Sequence, residues 1–94
     1  MNIEETLRDQ KRYLQRNFFV KMIGIFGSRV RDDFSTESDI DILVELENGH
    51  NDLFNIVRLQ HYLEALLSKR VDLVIKNSIK PALRDRILGE VMYV

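Results

Sequence analysis

Three aspartates stand where apolar residues would be expected. Asp39 and Asp41 are one residue apart in DIDILVEL, residues 39 to 46, and Asp72 interrupts the apolar run RVDLV. Side chains two apart on a strand point the same way, about 6.6 to 7 Å apart along it. Asp39 and Asp41 can therefore lean toward one cation, or toward a pair of cations about 3.5 to 4 Å apart. Aspartate is disfavoured in strands, and two on one face repel each other and lose hydration unless a positive charge sits between them. If the Asp72 strand is a neighbour, its carboxylate completes a three-aspartate cluster. All-oxygen ligation suits magnesium, or manganese in its place, better than zinc. The plainer alternatives are an edge strand whose acids face water and, for Asp72, an ion pair with Arg70 or Lys69.

The other chemical element is Gly27-Ser28, which ends the apolar run FFVKMIGIF. A strand turning into a helical segment there offers unpaired backbone N–H groups and the positive end of a dipole, which attract phosphate. Glycine lets the backbone approach the anion and the Ser28 hydroxyl adds a donor, although such a dipeptide also serves as a simple turn. A phosphate cradle beside three carboxylates describes a site for phosphoryl or nucleotidyl transfer from a nucleoside triphosphate. Two metal ions would neutralise the phosphates while one carboxylate helps to deprotonate an attacking hydroxyl. No other catalytic set is present: His50 falls in a turn, His61 falls on a helix outside any H-E-x-x-H spacing, and the chain has no cysteine, no G-x-x-x-x-G-K-[ST] and no EF-hand loop.

These residues need elements to position them. Residues 3 to about 16 carry Ile3, Leu7 and Leu14 at sparse helical spacing, and FFVKMIGIF suits a buried strand. RVRDD allows a short helical turn before the FSTES loop. DIDILVEL alternates as a second strand, with Asp39 and Asp41 on one face. Asn51 or Asp52 can cap a helix running to about Ser68, RVDLVIK is a third strand, and Pro81 opens a last helix with Leu83, Ile87, Leu88 and Val91 on one face. The order is α-β-(short α)-β-α-β-α in an α+β fold, with residues 1 to 94 as a single domain.

At 94 residues the chain leaves no room for a separate substrate-binding lobe, so a second substrate must be held largely by a partner. The 14 basic and 15 acidic side chains give a net charge of −1 and no bulk cationic field, so nucleic acid is not an expected ligand. The absence of cysteine fits a reducing compartment. No signal peptide and no apolar run of about 20 residues is present. A soluble, cytoplasmic protein is expected.

Gly27-Ser28, ten residues, then Asp39-Ile40-Asp41 resembles the G-S-x10-D-x-D signature of the DNA polymerase β-like nucleotidyltransferase superfamily. The small size and element order resemble its minimal nucleotidyltransferase branch, the MntA or MNT antitoxins, and the likeness runs through VDLV and PALRDRIL to residue 94. The resemblance implies a small mixed sheet flanked by helices. It implies magnesium on Asp39, Asp41 and Asp72, with Asp39 and Asp41 catalytic. It further implies triphosphate binding by Gly27 and Ser28, and a nucleotide-binding Arg31 at the arginine usually found after G-S-x-x. Asp32 stands where the family usually has glycine. The partner implied is a HEPN-domain RNase toxin, a tyrosine of which receives AMP from ATP. The alternatives are an antitoxin that acts by occlusion alone, a small-molecule nucleotidyltransferase for which a dimer could build a pocket between subunits, and a structural domain with surface acids; a homodimer or hetero-oligomer is compatible with the chain's size.

Overall fold

The computed structural model describes residues 2–27 and 39–94. The expected RVRDD turn and FSTES loop, with Ser28, Arg31 and Asp32, lie outside the described residues. The elements are α1 (Ile3–Asp9), α2 (Lys11–Phe18), β1 (Val20–Phe26), β2 (Ile40–Leu46), α3 (Leu53–Leu67), β3 (Val71–Ile75), a 3-10 turn (Lys76–Ser78), α4 (Pro81–Glu90) and β4 (Met92–Tyr93). The four strands form a mixed sheet in the order β3-β2-β1-β4. β1 runs antiparallel to β2 and β4, while β2 and β3 are parallel and joined through α3.

The first helix, expected as one piece, is two. The Asn2 side chain caps α1 by accepting from the Glu5 N–H at 3.0 Å, and acidic Glu4 and Glu5 suit that end of the helix. The chain then leaves helical geometry at Gln10, with φ −95° and ψ 2°, and resumes as α2. Ile3, Leu7, Leu14 and Phe18 are nevertheless all buried, because the break preserves the apolar stripe. α2 ends with Phe19 in the left-handed region at φ 60°. The buried Asn55 side-chain amide secures that turn, donating to the Phe18 carbonyl at 2.9 Å and the His50 carbonyl at 3.1 Å.

α3 is capped by Asp52, whose carboxylate accepts from the Asn55 N–H at 3.0 Å. Its Leu59, Leu63 and Leu67 repeat every fourth position and are buried. They meet one sheet face carrying Ile23, Ile25, Ile40, Ile42, Val44, Leu46, Val71 and Ile75, and the helices α1, α2 and α3 complete the core. Alternation sends Asp41, Leu43 and Glu45 to the opposite face.

Two features of the far end of the chain go beyond the sequence reading. Pro81 does open α4, but the stripe of Leu83, Ile87, Leu88 and Val91 does not enter the core: no α4 residue is buried, and Leu83 is 44% exposed. The helix lies across the face that carries the acids, away from the α1–α3 layer. β4, which the sequence did not signal, pairs with Gly24 and Ile25. Gly24 permits it, since a Cβ there would come within 2.7 Å of Val91 Cγ1 and 2.9 Å of the Met92 carbonyl oxygen. Among the described residues, no helix is long and apolar enough to cross a membrane.

Candidate active site

The site forms at one end of the sheet, where the C-terminal end of β1 meets the N-terminal ends of β2 and β3. Antiparallel register sets Phe26 opposite Asp41, and parallel register sets Asp41 beside Asp72. Asp39 immediately precedes β2, and the two-residue period puts it on the side of Asp41. The structure thus brings Asp41 and Asp72 together as neighbours across a ladder, with Asp39 at the strand mouth. Asp41 is half-buried; Asp39 and Asp72 are exposed.

Gly27 makes this packing possible. Its φ of 76° lies in the left-handed region, and a Cβ at this position would overlap the Asp41 Oδ2 atom. The chain therefore turns at Gly27 in a conformation that favours glycine, with the Asp41 carboxylate pressed against the turn. The two ends of the G-S-x10-D-x-D pattern meet here. Ser28 and Arg31, the other two expected nucleotide-binding residues, lie outside the described residues.

Like charges directly opposite each other on a ladder destabilise it. Asp41 and Asp72 are such a pair in register across the β2–β3 ladder. The donors are carboxylate oxygens throughout, the set that hard divalent cations such as magnesium take. Among the described residues, no three acidic or histidine side chains converge on one point. Asp39 and Asp72, being exposed, have rotamer freedom to lean toward Asp41. His61 lies exposed on α3, and His50 stacks on the Phe19 ring, so neither histidine joins the site.

Beside Asp41 opens a cleft of about 330 Å³. Phe26, Gly27 and Asp41 form its sheet side, and α4 supplies the other wall through Leu83, Arg86, Ile87 and Glu90. The sequence reading passed over Arg86 and Glu90. Their signal was spacing, since residues 83, 86, 87 and 90 follow the i, i+3, i+4, i+7 pattern of one helix face.

Residues 7–94 match the family model for the nucleotidyltransferase domain. The chain is 46% identical over 92 residues to the protein adenylyltransferase MntA of Thermococcus cleftensis, covering 98% of this chain and 92% of that protein. Among solved structures it is similar to a toxin–antitoxin with AMP-PNP, with a TM-score of 0.78 and 25% identity over 96% of this chain and 70% of that one. It also shares the fold of a tri-AMPylated Shewanella oneidensis HEPN toxin in complex with MNT antitoxin, with a TM-score of 0.71 and 22% identity over 98% of this chain and 71% of that one. The chain belongs to the nucleotidyltransferase domain family, within its minimal, MntA-type branch. It is an enzyme of the nucleotidyltransferase class.

Proposed function

We propose that this protein is the antitoxin of a toxin–antitoxin pair and transfers AMP from ATP to a tyrosine hydroxyl of a cognate HEPN-domain RNase. The observation that carries this reading is the packing of Asp41 against the Gly27 turn with Asp72 in register beside it. The relative named an adenylyltransferase and the similarity to a toxin–antitoxin with AMP-PNP support the nucleotide and the partner class. The partner also answers a physical need, because a domain of 94 residues has little surface for gripping its own acceptor.

Asp39, Asp41 and Asp72 would hold magnesium, two ions in the fullest arrangement, and Gly27, Ser28 and Arg31 would hold the triphosphate. Bound magnesium would neutralise charge on the phosphate oxygens as the leaving group departs. The residues of the chain position the α-phosphoryl group for in-line attack. The tyrosine oxygen forms a bond to the α-phosphorus, the bond from that phosphorus to pyrophosphate breaks, and one of the three carboxylates accepts the hydroxyl proton. The AMP that results adds a bulky anion where an RNase must bind RNA phosphates, blocking it by charge and volume.

The test is transfer of label from α-labelled ATP to the co-purified partner in magnesium, with intact-mass measurement of that partner. Wild-type protein should add one or more AMP units. Asp39→Asn and Asp41→Asn should each lower the rate by about 10²- to 10⁴-fold. Undiminished labelling by both variants would exclude this site, and an inhibited but unmodified partner would show that occlusion alone neutralises the toxin.

A further inference from the structure

β3 stands at one edge of the sheet, and only part of that edge is closed. The Arg70 carbonyl accepts from the Ile40 N–H at 2.9 Å. In the parallel ladder the backbone groups of Arg70, Asp72 and Val74 therefore face β2, and those of Val71, Leu73 and Ile75 face away from it. α3 closes Val71: its N–H donates to Glu64 Oε2 at 3.0 Å, and its carbonyl accepts from Gln60 Nε2 at 3.3 Å. Among the described residues, no hydrogen bond engages the outward groups of Leu73 and Ile75. Such a row is a template for a strand of another chain.

This edge is complementary to itself. In an antiparallel pairing of two copies with Val74 on the two-fold axis, Leu73 of each copy lies opposite Ile75 of the other and the two exchange N–H···O=C bonds. Every outward group of β3 that α3 leaves open is then used. The same register sets Asp72 opposite Lys76, a base that reaches Glu45 of its own chain at 3.6 Å, and opposite charges across a ladder are favourable. Val74 meets Val74 on the acidic face and Leu73 meets Ile75 on the helical face, so the half-buried Leu73 and Val74 gain cover. Neighbouring registers are worse. With Leu73 on the axis, Ile75 must pair with Val71, whose groups are taken; with Asp72 on the axis, two carboxylates oppose each other. We propose that β3 is a self-association edge that takes β3 of a second copy, continuing one sheet through both chains. The axis stands perpendicular to the sheet, so both helical layers lie on one side and both sets of acids on the other, with Lys76 of the second copy beside each Asp72. Strands this short make a small interface and hence a reversible dimer.

The experiment is sedimentation equilibrium of the full chain without nucleotide, so its outcome is separate from that of the transfer assay. Wild type should dimerise reversibly with concentration. Val74→Lys and Val74→Glu each put like charges across the axis and should weaken self-association about tenfold or more. Mixing the two variants should restore it, because lysine then faces glutamate. The chain has no cysteine, so Val74→Cys should give a disulfide dimer on mild oxidation, and Leu53→Cys, at a position 75% exposed on α3, should cross-link far less. Melting curves check that the variants fold, and the cysteine variant, the smaller change, serves if the charged ones do not. A wild-type chain that stays monomeric at its highest soluble concentration overturns the proposal. So does a dimer that both charged variants leave intact, or one that their mixture fails to restore. Slowed deuterium exchange at Leu73 and Ile75 only when the co-purified partner is added would assign the edge to that partner and overturn it as well.

Discussion

The two faces of β2 differ more than any two elements of the fold. On one face Ile40, Ile42, Val44 and Leu46 are at most 2% exposed beneath three helices. On the other, Asp39, Asp41 and Glu45 retain solvent, Asp41 meets a like charge in register, and the covering helix buries none of its residues. One face is organised for folding, and the other carries the acids of the candidate site, with Glu45 paired to Lys76 at 3.6 Å. A single strand of alternating residues divides stability from chemistry at a period of two, so substitutions one residue apart should affect different properties.

The largest change in stability should come from the apolar side. Leu63→Ala, at a fully buried position of α3, should cost about 2 to 5 kcal/mol in urea denaturation, with nucleotide affinity of the folded fraction unchanged. Gly27→Ala should follow, destabilising by about 1 to 3 kcal/mol from the left-handed backbone alone. It should also displace Asp41 and impair magnesium-dependent ATP binding, which calorimetry would register. Asp72→Asn should invert the pattern: without metal it should raise stability by about 0.2 to 1 kcal/mol through loss of the repulsion with Asp41, while lowering transfer by orders of magnitude. A fall in stability for Asp72→Asn would end the view of Asp41 and Asp72 as a repelling pair. The smallest effect belongs to the core side. Burial, and to a lesser degree the nearby Tyr13, raises the Tyr62 pKa above its ordinary value of 10, and the hydroxyl donates to Gln10 Oε1 at 2.6 Å. The folded chain then keeps a proton that the unfolded chain releases above pH 10. Stability should be flat below that pH and decline above it, and Tyr62→Phe should remove that part of the decline.

The strand bearing Asp39 and Asp41 was legible because alternation and misplaced acids are both local signals, whereas the pairing that brings in Asp72 stood only as a condition until the parallel register supplied it. The Asp52 cap and Pro81 start were legible for the same reason, since each is a residue type with a positional preference. The break at Gln10 was not, because no glycine or proline marks it and the apolar stripe passes through unchanged. β4 is too short to show a period. α4 is the instructive case: periodicity finds an apolar stripe but says nothing about whether that stripe meets a core or a cleft. Arg86 and Glu90 were passed over because their spacing alone does not show that the helix face they share lines a cleft.

The pairing of Met92–Tyr93 with Gly24 and Ile25, together with the Val94 N–H donating to the Ile23 carbonyl at 3.1 Å, is what ties α4 back to the sheet. A helix with no buried residue, held by so short a strand, should open as a unit well before the core does. Amides of residues 83 to 94 should therefore exchange with deuterium by sub-global opening, while those of β1 and β2 that face each other wait for global unfolding. Bound nucleotide should slow exchange most along α4, so this wall would report occupancy as a change in protection while the rest of the fold stays silent.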